Sequence, residues 1–128
     1  MVFLLRDSSA KATLIAENIK RAKEFYTKKL GLEIEMDSGK EIILKSGKNT
    51  RILIYEKGKP KADNTVVSFD VDNVQNEVNE LRKRGVKFEE YDMPGIKTVN
   101  GVATSGNLTC AWFKDSEGNI LNISHTKK

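Results

Sequence analysis

Hydrophobic and polar positions run through this chain in two rounds of the same order. Residues 11–16 alternate and predict a strand, with Ala12, Leu14 and Ala16 on one face and Lys11, Thr13 and Ile15 on the other. Asn18 stands where a helix N-cap belongs. Ile19, Ala22, Phe25, Tyr26 and Leu30 then recur at helical spacing as one apolar stripe. Gly31 follows the stripe, as a left-handed helix end prefers. Strands are predicted over 32–37, 41–45 and 51–56, with turns at 38–40 and 46–49.

Residues 57–64 have linker composition, and after them the pattern restarts. A strand is predicted over 65–71, then a helix capped by Asp72 or Asn73, with Val74, Val78 and Leu81 as its stripe and Gly85 at its end. Residues 86–92 alternate as a strand. Residues 93–105, with Pro94, Gly95 and Gly101, read as a loop. An apolar run at 110–114 enters the polar turn Asp115-Ser116-Glu117-Gly118-Asn119, and a second apolar run leaves it. That predicts a hairpin, with Gly118 and Asn119 placed to take a positive φ. Alternation puts Cys110, Trp112 and Lys114 on one face of it, joined after the turn by Ile120, Asn122 and Ser124. Each half thus reads as strand, helix and three strands, an internal repeat of about half the chain.

The expected fold class is α+β: two βαβββ modules, 11–56 and 65–125, in one domain, preceded by an arm at 1–10. With 128 residues, 38% hydrophobic and 31% charged, one soluble unit can build a core. No apolar run reaches the ~20 residues of a membrane helix, and residues 1–5 are too short for a signal-peptide core. The single cysteine, Cys110, excludes an internal disulfide and a cysteine-rich zinc site, so a cytoplasmic location is expected. The net charge of +4 comes from scattered lysines and arginines at helix ends and loops. Without interleaved aromatics or a recognisable motif, nucleic acid is not an expected partner.

The doubled unit resembles the vicinal oxygen chelate superfamily, the glyoxalase/bleomycin-resistance/dioxygenase fold. The segment Phe25-Tyr26-Thr27-Lys28-Lys29-Leu30-Gly31-Leu32 is similar to the family's Phe-Tyr…Leu-Gly-Leu helix ending. The turn at Asp115–Asn119 is similar to its Asp-Pro-Asp-Gly-Asn, with Ser116 in place of proline, and Val71-Asp72-Asn73-Val74 is similar to its second strand-to-helix corner. The resemblance covers roughly residues 11–125. It implies a curled, cup-like mixed sheet with helices outside and a homodimer covering its edges. In metal-using members it implies four inward His or Glu ligands. By motif those positions are Lys11, Ile52, Val66 and Asn122. An ammonium, two hydrocarbons and one amide are a poor set for a divalent ion, so no metal or other cofactor is expected.

The expected pocket is lined by Lys11, Thr13, Ile52, Ile54, Val66, Ser68, Asp70, Cys110, Trp112 and Asn122, with Ser124. It is mostly apolar with a few polar anchors. Lys11, on a pocket-facing strand, is expected either to snorkel to the rim or to answer an anion, Asp70 or a ligand carboxylate. Glu56 is a possible displaced carboxylate, more simply a solvated strand end. His125, near the end of the sequence, reads as a surface residue, and Cys110 as a small wall residue. The function these residues point to is metal-free binding of an aromatic or amphipathic small molecule, with no catalytic residue. The alternative is a metal-dependent lyase, isomerase or ring-cleaving dioxygenase with atypical ligands.

Overall fold

In a computed structural model, residues 5–61 and 63–127 are described. Residues 1–4 of the expected arm lie outside them, and 5–10 are exposed turns and irregular backbone. The first module is β1 (Ala12–Ala16), α1 (Ile19–Glu24) continued by a π-helical turn (Phe25–Lys29), β2 (Glu33–Asp37), β3 (Glu41–Ser46) and β4 (Thr50–Glu56). Its sheet has the order β1-β4-β3-β2, with β1 parallel to β4. Asn18 Oδ1 accepts the Arg21 amide at 3.0 Å, and Gly31 takes φ 76°. The π turn is closed by Leu30 N–H donating to the Phe25 carbonyl at 3.2 Å, five residues back. Its extra residue keeps both Phe25 and Tyr26 buried.

The second module is β5 (Thr65–Asp70), α2 (Val74–Lys83), β6 (Asp92–Met93), β7 (Ile96–Val99), β8 (Val102–Ser105), β9 (Leu108–Lys114) and β10 (Ile120–Thr126). Its sheet runs β5-β10-β9-β8-β7-β6. Asn73, not Asp72, caps α2 by accepting the Asn76 amide. This is the mixed α+β architecture of two curled, unclosed sheets expected from the repeat. Two details differ. The strand expected at 86–92 survives only as a bridge from Phe88 to Phe113 and the start of β6. The expected loop at 93–105 is instead the β7–β8 hairpin, turned by Asn100 (φ 52°) and Gly101 (φ 83°).

Each sheet is covered by its helix on one face only. Ile19, Ala22, Phe25 and Tyr26 with Leu14, Ala16, Ile42, Leu44, Ile52 and Ile54, and Val74, Val78 and Leu81 with Ala111, Phe113, Leu121 and Ile123, form one continuous core, in which Phe25 meets Phe113 across the modules with ring centroids 6.5 Å apart. Covering one face leaves the other, concave face available to a ligand.

The turn at Asp115–Asn119 joins the modules. Asp115, Glu117 and Asn119 are all buried. Asp115 Oδ1 accepts the amides of Glu117 and Asn119, and Oδ2 accepts the Tyr26 hydroxyl and the Asn119 side-chain amide. Asn119 Nδ2 also donates to the Ile15 carbonyl at 3.1 Å. Gly118 has φ 102°, but Asn119 keeps a negative φ and spends its side chain on these bonds.

Candidate functional site

The concave face of the second module is set by the β9–β10–β5 register. Antiparallel pairing places Trp112 opposite Asn122 and Cys110 opposite Ser124, and parallel pairing sets Ser68 beside Asn122 and Asp70 beside Ser124. Ala111, Phe113, Leu121 and Ile123 point into the core, so Val66, Ser68, Asp70, Cys110, Trp112, Asn122 and Ser124 share the other face. On the first module the same reasoning takes Ile54 out of the expected site and leaves Ile52 only at the edge of a cleft. Ile52 and Ile54 are 1% and 0% exposed beneath α1. Leu53 and Tyr55, paired with Thr13 and Ile15, take the concave face instead. Residues 52–55 are apolar without a break, so their faces are decided by which side the helix covers.

The concavity is divided into clefts. One, of about 430 Å³, opens at the edge where the modules meet and draws on both faces of β5, Val66, Ser68 and Asp70 from the concave side and Val67 and Phe69 from the core side, with Ala12, the edge of Ile52 and the β3–β4 turn opposite. Two others flank Trp112. One of about 280 Å³ is walled by the β7–β8 hairpin, Leu108, Cys110 and Trp112. The other, of about 290 Å³, is lined by Asp63, Tyr91, Met93, Ile96 and Trp112, among others. Thr13 and Lys11 are exposed and border none of these three. Lys11 precedes β1 and makes no ion pair with Asp70. Asn122 is 7% exposed and also borders none of them.

Trp112 is half-buried and meets Tyr91 edge to face, with ring centroids 5.4 Å apart at 80°. The β7–β8 hairpin beside it is tied down. Thr98 Oγ1 donates to Glu90 Oε1 at 2.6 Å and accepts the Tyr91 amide, Gly101 N–H donates to the same Glu90 oxygen at 2.8 Å, and Arg82 Nη2 donates to the Asn100 carbonyl at 2.8 Å. The Thr98 hydroxyl and Gly101 amide hold the Glu90 carboxyl below its ordinary range. Sequence reasoning missed this wall of the site, although Asn100-Gly101 is the usual signal of a two-residue hairpin.

The remaining candidates resolve into structural roles. Burial pushes the Cys110 thiol up, only partly opposed by the Asn122 amide, so it is a poor nucleophile. His125 Nδ1 lies 3.0 Å from the Val71 carbonyl. Glu56 Oε2 accepts the Ile19 amide at the start of α1, and Oε1 pairs with Lys40 at 2.9 Å.

The glyoxalase/bleomycin resistance protein/dioxygenase superfamily model matches residues 9–123. This chain belongs to that superfamily. No curated protein sequence matches the chain. Among solved structures, it is similar to a glyoxalase/bleomycin resistance protein/dioxygenase from Nocardioides (18% identity, 100% of this chain and 89% of that one, TM-score 0.71). It is also similar to TnmS3, an antibiotic binding protein from Streptomyces sp. CB03234 (18% identity, 94% and 98%, TM-score 0.66). A third is lactoylglutathione lyase from Agrobacterium tumefaciens (17% identity, 93% and 93%, TM-score 0.66). At these identities the likeness is one of fold.

The donors present do not fit the divalent ion that metal-using members of the superfamily hold. With Ile52 in the core, the inward positions flanking it on β4 are Arg51 and Leu53, and the Arg51 guanidinium is held by Glu35 at 2.8 Å. Lys11, Val66 and Asn122 complete the set. It contains cations, hydrocarbons and a single amide oxygen, with no imidazole or carboxylate free to coordinate. Among the described residues, no three His, Cys, Asp or Glu side chains come together in a way that could hold a metal ion.

Proposed function

We propose that this chain is a metal-free binding protein that takes an aromatic or amphipathic small molecule on its concave face, at Trp112. The observation that carries the reading is that indole: half-buried, braced by Tyr91, and forming a wall of two clefts. A flat apolar surface beside a few hydroxyls and charges is the make-up of an organic-ligand site. No acid, base or nucleophile need act, because such a protein works by affinity alone. The raised Cys110 thiol and the position of His125 against a backbone carbonyl agree with that. TnmS3, an antibiotic binding protein, has the same fold. The reading includes a cytoplasmic homodimer, in which a second copy covers concave-face and edge residues such as Val66 (42% exposed) and Leu108 (38%).

Two measurements test it together. Protein purified from metal-supplemented medium is expected to carry far less than one equivalent of zinc, nickel, manganese or iron. Trp112, the single tryptophan, is expected to report saturable quenching by members of an aromatic ligand panel. Near-stoichiometric metal would instead favour the lyase or dioxygenase reading, and a panel without quenching would remove the binding site.

A further inference from the structure

The two clefts beside Trp112 share Ile96 and the indole but differ in charge. Asp63 lines one of them. Lys97 lines the other, and no carboxylate does. We propose that the Lys97 cleft is an anion-selective subsite for a planar aromatic acid, the ring lying against Trp112 and Ile96 and the acid group at Lys97. This rests on the reading of the concave face as a small-molecule site and adds the ligand's charge and position to it.

Three features support the assignment. The cleft is built in advance: the Glu90, Arg82 and Thr98 bonds hold the β7–β8 hairpin that walls it, and Tyr91 holds the indole. A preformed wall spares the ligand the cost of ordering a loop. Its size is matched to one or two rings, since about 280 Å³ is at the small end of ligand pockets.

The polar groups in it are complementary to an anion. Lys97 is exposed, and among the described residues it has no ion-pair partner. Its cross-strand neighbour is Asp92, which makes no salt bridge to it. Thr104 and Ser105 add exposed hydroxyls, and Cys110 adds a thiol that burial keeps protonated. An ammonium and neutral hydroxyl or thiol donors at the rim of an apolar slot favour a carboxylate over an amine of the same shape.

The test uses three probes of one shape, 2-naphthoate, 2-naphthylmethanol and 2-naphthylmethylammonium, titrated into the full chain at low salt with Trp112 fluorescence as the signal. Naphthoate is expected to bind about tenfold more tightly than the alcohol, the effect of one charge-assisted hydrogen bond. Lys97→Met is expected to lower the affinity for naphthoate about tenfold and that for the alcohol by much less, so that the preference disappears. If the alcohol binds as well as naphthoate, or the preference survives Lys97→Met, the anion subsite is wrong and the general binding reading stands. Preference for the ammonium would move the ligand's charged end to the Asp63 side and also overturn it. If no probe binds, both fall.

Discussion

The hydroxyl of Tyr26 donates a 2.6 Å hydrogen bond to Asp115 Oδ2, joining the π-helical turn of the first module to the β9–β10 turn of the second. Both residues are buried. Burial, and then the neighbouring carboxylate, push the phenol well above the ordinary tyrosine range, so it remains a donor. Asp115 also accepts three further bonds from Glu117 and Asn119. Tyr26→Phe removes one donor from a carboxylate that keeps its others. It is expected to cost about 1–2 kcal/mol. Asp115→Ala strands all four donors and is expected to cost about 3 kcal/mol or more. Urea denaturation of both variants checks the order. Equal and small losses would mean that the turn does not join the modules energetically.

Glu117 makes the same joint sensitive to acid. Its side chain is fully covered. It accepts the amides of Glu17 and Asn18, the Ser116 hydroxyl and a two-point contact from Arg21. Burial pushes its carboxyl up, but Arg21, the Asn18 amide and Ser116 together outweigh that, and the net direction is down. A depressed folded pKa contributes stability that is complete above the ordinary glutamate value of 4.5 and is lost as pH falls through the folded value. Several other carboxylates shift the same way, so the diagnostic quantity is a difference between proteins. Glu117→Gln is expected to be less stable than the parent at pH 7, with the gap closing below about pH 4.5. Thermal melts from pH 7 to 3 measure it. A gap that stays constant with pH would assign the loss to packing.

Gly101 allows the hairpin that walls the Trp112 clefts. A Cβ there would sit 2.9 Å from Arg82 Nη2 and 3.0 Å from Phe88 Cβ, at φ 83°. Gly101→Ala is expected to destabilise by about 1–3 kcal/mol, from left-handed strain plus the clash. It should also change the near-ultraviolet circular dichroism of Trp112. Gly47→Ala, at φ 64° with nothing within 4 Å, serves as control. It should cost about 1–2 kcal/mol and leave the Trp112 signal unchanged. Matching spectra for the two variants would separate the hairpin from the site.

Cys110 is buried and its thiol is raised by that burial. Its labelling by a water-soluble disulfide reagent at pH 7 should be at least tenfold slower in the native chain than in urea. Cys110→Ala should leave stability within about 1 kcal/mol of the parent, since it removes one small wall atom. Native labelling as fast as unfolded labelling would show that the cleft floor opens.

Much of the fold was legible because its signals are local. Asn18 and Asn73 cap helices wherever the chain leads them, and Gly31 and Gly85 end helices by their own backbone freedom, at φ 76° and 92°. The alternation of Cys110 to Lys114 and of Ile120 to Ser124 correctly put Trp112 and Asn122 on one face, while the pairing of the two residues came from the register. Asn100-Gly101 was equally local, but its strands are four residues each and show no clear period, so the segment read as a loop.

The repeat, the helix ends and the residues of β9 and β10 that share a face were readable from the chain alone. All of these follow from periods and backbone preferences that act within a few residues. Long-range packing placed α1 over Ile52 and Ile54 and left Leu53 and Tyr55 to the concave face. The run 52–55 is apolar on both sides, and a strand with two apolar faces takes its orientation from what packs on it. It also decided that three polar turn residues are buried. Asp115, Glu117 and Asn119 look solvent-facing in the sequence. They are buried because Tyr26, Arg21 and the free amides at the start of α1, some 90 to 100 residues away, supply their hydrogen bonds.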